Sequence, residues 1–188
     1  MAAMAMDVTV MEGMVTANTE SMVDMAMETG KKIQKNPAIR QMENDVLIPM
    51  LREIVEEGKQ VRVTVSGSSM SPLICHRRDS VMLESVQSEL KKGDIVFYQR
   101  NNGQYVLHRI CRIDEKGKVY CIGDAQTEIE GPLEKRQIFA IVKGICRKDR
   151  WICPGDFWWE FFAHVWLNLI PFRKGIMAVY SRIRRLGR

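Results

Sequence analysis

The stretch VRVTVSGSSMSP, residues 61–72, decides how this chain is interpreted. In its first half, valine alternates with polar residues, which is the period of a β-strand that buries one face. The alternation then stops, and small hydroxyl residues surround Gly67 before Pro72. A proline restricts the residue before it to extended conformations, so the chain cannot continue from this strand as a helix. The stretch therefore predicts a strand followed by a turn that carries serine side chains.

Further strand-like runs follow this one at short intervals. They are separated by turn signals such as KKGD, RNNGQ and DEKGK, and the Asn-Gly pair favours a tight hairpin. The predicted strands are residues 61–66, 80–86, 94–100, 104–113, 118–123 and 138–147. Short strands at this spacing predict a mainly β fold, a β barrel or sandwich over residues 61–150.

The segments on either side of this region differ from it in composition. Residues 1–36 are rich in methionine and lack a sustained period, which predicts a mobile N-terminal segment. Residues 37–60 contain a short lead-in helix with the apolar positions Val46, Leu47, Met50, Leu51, Ile54 and Val55 on one face. Residues 151–188 are aromatic and basic and predict two amphipathic helices, the first of which we expect Pro171 to end.

Composition limits the partners and the compartment. The 188-residue chain has a net charge of +5, and its last 16 residues carry six basic residues and no acid, which favours an acidic partner surface. The five cysteines show no zinc-site spacing and are interpreted as reduced thiols. We find no secretory signal and no apolar run of the roughly 18–20 residues that a membrane span needs. We therefore expect a peripheral membrane or cytoplasmic location.

Ser69, His108 and Asp124 are candidates for catalytic chemistry. Ser69 follows a strand in a turn that could equally be an ordinary serine-rich loop. A serine hydroxyl needs a base, and His108 is the histidine framed by strand residues, although such a histidine is more often a core residue. Asp124 follows a strand directly, with Glu130 nearby, and could fix the tautomer of a histidine base. An unperturbed histidine would place the acid limb of activity near pH 6.5.

Four short boxes in this order resemble the type I signal peptidases. GSSMSP looks like the nucleophile box, KKGDIVFY like the Gly-Asp strand, VLHRI like the box of the catalytic base, and CIGDAQ like the closing Gly-Asp box. A histidine in the third box is similar to the endoplasmic-reticulum and archaeal branch of the family. The resemblance covers roughly residues 60–148 and implies a signal-peptidase-like β barrel or sandwich.

The resemblance implies a serine endopeptidase that forms an acyl-enzyme. Ser69 would be the nucleophile, His108 the general base and Asp124 the acid, with Glu130 as the alternative acid. The resemblance further implies a peptide or preprotein substrate with small residues before the cut, and no metal or cofactor. Residues implied in the oxyanion hole or in substrate binding are Gly67, Ser68, Met70 and Pro72.

Two other functions are compatible with the sequence. A serine-lysine enzyme of the self-cleaving repressor type would use Lys143, which lies in an apolar strand. A second alternative is an inactive module of the same fold that binds extended peptides along a sheet edge.

The aromatic C-terminal segment, residues 157–188, predicts a surface-lying membrane contact. Residues 157–172 give about 24 Å of helix, short of the roughly 30 Å hydrocarbon core. Glu160, His164 and Asn168 form a polar stripe, and the aromatic cluster favours a membrane surface over a nucleic-acid partner. The alternative is that the same apolar face packs on the β domain as its cover.

Overall fold

The chain folds around one antiparallel sheet of nine strands. The computed structural model describes residues 7–9 and 48–186, with side chains described for residues 48–183. The strands are β1 (Asp7–Thr9), β2 (Val61–Thr64), β3 (Ser80–Glu84), β4 (Ile95–Gln99), β5 (Tyr105–Ile113), β6 (Val119–Ile122), β7 (Glu130–Leu133), β8 (Ile138–Arg147) and β9 (Arg150–Ile152). Their order is β1-β2-β3-β8-β4-β5-β6-β7, with β9 paired to β8. The prediction of a mainly β fold is confirmed.

All six predicted strands form, and three further strands were not predicted. β1 lies in the segment expected to be mobile and pairs with β2, while the rest of residues 1–36 lies outside the described residues. β7 contains the sequence Gly131-Pro132, which interrupts the pattern of a strand. β9 follows a tight hairpin in which Lys148 and Asp149 both have positive φ, so the sheet extends past residue 150.

The sheet is buried on both faces, and the two faces form separate cores. Ile95 and Phe97 of β4 belong to the first core, whereas Val96 and Tyr98 belong to the second. Successive residues of a strand point to opposite faces, so β4 contributes to both cores. β5 divides in the same way, because Leu107 lies in the first core and Val106 and Ile110 lie in the second.

The lead-in helix is present, but its buried face differs from the predicted one. Helix α1 is described over residues 48–56 and buries Ile48, Leu51 and Val55 in the first core. Spacings of three and four residues place these side chains on one face of a helix. Met50 and Ile54, which were predicted on the core face, are only partly buried.

The C-terminal segment is a continuous helical path with changing winding. It begins as α2 (Phe157–Glu160), continues as a π-helical stretch (Phe161–Val165) and a 3-10 stretch (Trp166–Phe172), and ends as α3 (Arg173–Leu186). The prediction that Pro171 ends a helix is wrong, because Pro171 lies inside the 3-10 stretch and α3 follows directly. The tighter winding accommodates a residue without an N–H group.

One face of this segment packs on the first core. Trp159, Phe162 and Trp166 are buried there, so the interpretation of the segment as a cover for the β domain holds for this inner face. The predicted polar stripe also forms, since His164 contacts Glu160 at 3.0 Å and its carbonyl accepts a hydrogen bond from Asn168. Within the described part of the chain, every helix is too short or too polar to span a membrane.

Candidate active site

The Ser69 turn is a compact loop anchored in the first core. The N–H of Ser71 donates to the Ser68 carbonyl at 3.1 Å, and the N–H of Ile74 donates to the Met70 carbonyl at 3.0 Å. Met70, predicted to contact substrate, has its side chain buried in the core, where it anchors the turn. Ser68 is exposed, and Ser69 is partly buried. The turn therefore presents Ser69 at the surface from a loop that is anchored in the first core.

Backbone N–H groups at the tip of this turn are unpaired. Among the hydrogen bonds of the described residues, none is donated by the N–H of Ser68, Ser69 or Met70. The N–H of Gly67, by contrast, donates to His76 Nδ1 at 2.9 Å and is not free to bind a developing anion. Successive unpaired N–H groups beside a serine are the donors that an oxyanion hole requires.

The Ser69 turn is tied to the turn that follows β6. The N–H of Ala125 donates to the Ser69 carbonyl at 2.7 Å. A side chain at Gly123 would come within 2.7 Å of the same carbonyl oxygen, so only glycine permits this approach. The Gly-Asp box at 123–124 thus lies against the serine turn, although the two are more than 50 residues apart in sequence.

His108 lies on β5, is almost completely buried, and faces a network of three polar side chains. Its Nδ1 lies 3.3 Å from the Tyr98 hydroxyl and 3.5 Å from Glu130 Oε1. Tyr98 donates its proton to Glu130 Oε2 at 2.7 Å, so the Tyr98 oxygen can accept from His108 Nδ1–H. Arg100 holds both oxygens of Glu130. This network favours the tautomer in which Nε2 carries the lone pair, and Nε2 forms no hydrogen bond within the described residues.

At neutral pH, burial keeps His108 neutral, and the hydrogen bonds of the network keep Glu130 ionised. Burial lowers the pKa of His108 to about 4, and the opposing effect of the Glu130 carboxylate is smaller. Burial acts to raise the pKa of Glu130, but the hydrogen bonds from Arg100 and Tyr98 outweigh it, and the pKa falls below its usual value. At neutral pH, a neutral imidazole therefore faces a carboxylate, which is the arrangement that a histidine base needs.

Asp124, the predicted acid, is bound to Arg109 and makes no hydrogen bond to His108. Arg109 Nε and Nη2 each lie 2.9 Å from one oxygen of the Asp124 carboxylate, and both side chains are fully buried. Arg109 follows His108 directly on β5, so the two side chains point to opposite faces of the strand. The structure thus brings Glu130, the alternative acid, to His108 and leaves Asp124 on the other face.

Ser69 and His108 are not in contact, because the Ser69 turn packs on the first core whereas His108 lies on the face of β5 that carries the second core. The hydrogen bonds of the described residues include none between Ser69 and His108, and Ser69 Oγ has no protein partner there. Lys143, the alternative base, lies partly exposed on β8 and likewise makes no hydrogen bond to Ser69. No group of three metal-binding side chains occurs in the part of the chain that the structure describes.

Trp166 and Arg173, which the sequence assigned to the membrane contact of residues 157–188, are buried and hold the Gly-Asp turn in place. Arg173 Nη1 donates to the carbonyls of Gly123 and Gln126 at 2.9 and 3.0 Å, and Trp166 Nε1 donates to the Asp124 carbonyl at 2.8 Å. Arg173 was expected to belong to the basic tail that meets acidic partners, and this is wrong because its side chain is completely buried. Burial lowers the pKa of Arg173.

Pro72, the remaining predicted substrate contact, lines a cavity with Phe162 and Trp158.

Comparison of the chain with protein-family models, with curated proteins and with solved structures finds no match in any of the three.

Proposed function

We propose that this chain is a serine endopeptidase with a signal-peptidase-like β fold, which cleaves signal or leader peptides after small residues. Ser69 is the nucleophile, His108 the general base and Glu130 the carboxylate that orients the base. The observation that carries the proposal is the neutral, buried His108, with Nδ1 held by Tyr98 and Glu130 and Nε2 left without a partner. The resemblance of four ordered sequence boxes to the type I signal peptidases supports the same assignment.

In the proposed mechanism, Ser69 Oγ attacks the carbonyl carbon of the scissile peptide bond while His108 Nε2 takes its proton. The unpaired N–H groups of Ser69 and Met70 stabilise the oxyanion. His108 then protonates the leaving amine as the peptide C–N bond breaks. In the second half of the reaction, His108 takes a proton from water, the water oxygen attacks the acyl carbon, and His108 returns the proton to Ser69 Oγ as the acyl–Oγ bond breaks. Because Ser69 and His108 are not in contact, the proposed mechanism requires a rearrangement that brings Ser69 Oγ to His108 Nε2 when substrate binds.

Glu130 is preferred to Asp124 as the third member for a geometric and an electrostatic reason. Its carboxylate faces the His108 ring and would stabilise the imidazolium that forms during the reaction. Both carboxylate oxygens of Asp124 accept hydrogen bonds from Arg109 on the other face of β5. In this proposal, Asp124 shapes the loop that supports Ser69.

A fluorophosphonate probe tests the proposal directly, because it labels activated serines. Wild-type protein should be labelled and should cleave a peptide with a small residue before the scissile bond. Ser69→Ala should abolish labelling and lower turnover by about 10⁴-fold or more. Ser88→Ala, which changes an exposed serine outside this turn, is the matched control and should retain labelling.

His108→Ala should also abolish cleavage, while the exposed His164→Ala should not. If Ser69→Ala turns over substrate as the wild type does, the proposal is wrong. If instead His108→Ala stays active with an alkaline pH profile, a lysine such as Lys143 would be the base.

The lack of contact between Ser69 and His108 favours one second candidate, an inactive module that binds peptides. Such a module would use the sheet edges and the unpaired N–H groups of the turn without chemistry. It predicts that wild type and Ser69→Ala bind the same peptide with equal affinity and that neither cleaves it or reacts with the probe.

A further inference from the structure

The exposed apolar side chains of the protein are concentrated in one region. Among the described residues, nine large apolar side chains are strongly exposed, and all but Ile129 lie between residues 151 and 183. Those in the C-terminal region are Trp151, Phe157, Trp158, Val165, Phe172, Ile176, Val179 and Ile183. Scattered exposed apolar residues are ordinary, but a cluster of this kind marks an interaction site.

Part of this cluster lines a cavity of about 950 Å³ beside the hairpin between β8 and β9. The cavity lining combines aromatic and basic side chains, among them Arg147, Lys148, Arg150, Trp151, Phe157 and Trp158. Phe157 and Trp158 are in edge contact with each other, at 5.2 Å between ring centres. In such a lining, the aromatic rings can contact an apolar phase while the basic groups contact anionic groups.

Helix α3 extends the apolar cluster as a stripe. Ile176, Val179 and Ile183 are spaced by three and four residues and are all exposed, so they share one face of the helix. Tyr180 of the same helix lines the cavity, and positions 176 and 183 flank it on the same side. The stripe and the cavity are therefore neighbouring parts of one surface, which we call the C-terminal surface.

The charge around the C-terminal surface is mainly positive. Arg147, Lys148 and Arg150 line the cavity beside a single acid, Asp156, and residues 161–188 contain no acid. Lys174 and Arg182 are exposed on α3. A second copy of the chain placed on this surface would bring arginines against arginines, so charge disfavours self-association. The complementary partner is both apolar and anionic.

We propose that the C-terminal surface docks on an anionic lipid bilayer, with α3 lying in the plane of the interface. A helix with an apolar stripe and basic flanks binds at the boundary between headgroups and acyl chains. Trp151 and Trp158 belong to the residue type that prefers headgroup depth. The inner face of the C-terminal segment remains packed on the first core, so docking leaves the β domain intact.

Flotation of the full-length protein with vesicles tests this proposal. The protein should float with equimolar phosphatidylglycerol and phosphatidylcholine, and not with phosphatidylcholine alone. About 1 M NaCl should release most of it, because the Debye length is then about 3 Å. Ile176→Ser with Ile183→Ser should weaken partitioning by about 10-fold or more, since two exposed apolar side chains no longer insert.

Matched controls separate the surface from general effects. Ile129→Ser removes an equally exposed isoleucine elsewhere and should leave flotation unchanged. Lys174→Glu with Arg182→Glu should weaken partitioning by at least about 30-fold, whereas Lys91→Glu with Lys116→Glu, of equal net charge, should not. Each variant should keep the wild-type melting temperature.

The proposal is overturned if the wild type does not float with anionic vesicles. It is overturned as well if the two double charge-reversal variants lose binding equally. It is also overturned if light scattering shows a dimer in solution that Ile176→Ser with Ile183→Ser dissociates, because a second copy then occupies the surface. Binding of the wild type to an acidic protein or a nucleic acid, without flotation, would contradict the lipid assignment in the same way.

Discussion

Two ion pairs, each of a carboxylate and a guanidinium group, lie on opposite faces of β5, and they differ in solvent exposure. Asp124 and Arg109 are completely buried and joined by two hydrogen bonds of 2.9 Å. Glu130 and Arg100 are partly open to solvent, with about a quarter of each side chain exposed. The Asp124 carboxylate accepts from Arg109 alone among the described side chains, whereas the Glu130 carboxylate also accepts from Tyr98 and faces His108.

The difference separates a structural pair from one that can take part in proton chemistry. Removing one partner of a fully buried pair leaves the other charge unpaired, so the Asp124–Arg109 pair has a structural role. Glu130 can respond when His108 gains a proton, because the two groups face each other and solvent reaches one of them. The position of Asp124 in a Gly-Asp box therefore does not predict which carboxylate faces His108.

The largest expected effect is the loss of stability when the buried pair is broken. Asp124→Asn removes the negative charge and leaves Arg109 buried without compensation, since both side chains have no solvent contact. We expect the free energy of unfolding to fall by about 3–5 kcal/mol, measured by urea denaturation.

Glu130→Gln is the matched control for this substitution. Arg100 keeps access to water when Glu130 loses its charge, so the expected loss of stability is about 1 kcal/mol or less. Equal losses for the two variants would contradict the distinction between the pairs.

The sequence predicted the strands better than it predicted these pairs. Alternating valines and the Asn-Gly turn are local signals, so the strands that carry them were found. The β7 strand was missed because Gly131 and Pro132 interrupt its pattern. The choice between Asp124 and Glu130 depends on which face of β5 each carboxylate meets, and this is set by the pairing of β5 with β6 and of β6 with β7.

The next effect concerns stability in acid, through His108. Its pKa is lowered from 6.5 to about 4 by burial, so between these values the unfolded chain binds a proton that the folded protein does not. Stability is therefore fully present above about pH 6.5 and is lost as the pH falls towards 4. The loss should be on the order of 3 kcal/mol, measured as the change in unfolding free energy with pH.

His108→Gln provides the comparison for this effect, because it places a neutral side chain on the same face of β5. The slope of stability between pH 6.5 and 4.5 should be smaller in this variant than in the wild type. An unchanged slope would show that other groups are responsible. The acid limb of the proposed activity should likewise lie near pH 4, below the value expected for an unperturbed histidine.

A smaller effect is expected on the reaction when Glu130 is neutralised. In the proposed mechanism, Glu130→Gln removes the carboxylate that stabilises the imidazolium, so turnover should fall by about 100-fold while stability changes little. The pKa of His108, followed by NMR titration, should decrease further, because Glu130 acts to raise it. Asp124→Asn should change this pKa much less, and the opposite ranking would restore Asp124 as the third member.

The basic C-terminus shows where composition alone misleads. Six basic residues without an acid predicted one uniform patch, yet Arg173 is buried and donates to backbone carbonyls of the Gly-Asp turn. An arginine at the start of a basic run carries no local signal that it will be enclosed. Its partners lie about 50 residues earlier and are brought to it only by the packing of Trp166 on the first core.

The smallest expected effect concerns the Tyr98 hydroxyl, which lies between His108 and the Glu130–Arg100 pair. Tyr98→Phe keeps the ring in the second core and removes the proton donated to Glu130 at 2.7 Å, so stability should fall by about 1 kcal/mol. Because Nδ1 of His108 then has only Glu130 as a partner, the preference for the tautomer with a lone pair on Nε2 should persist but weaken. Long-range ¹H–¹⁵N correlation spectra distinguish the two tautomers, and Tyr105→Phe, which removes a hydroxyl from a ring packed against the first core, serves as the control. A histidine that keeps its wild-type spectrum in Tyr98→Phe would show that Glu130 alone orients it, and the Tyr98 contact at 3.3 Å would then be packing without a directing role.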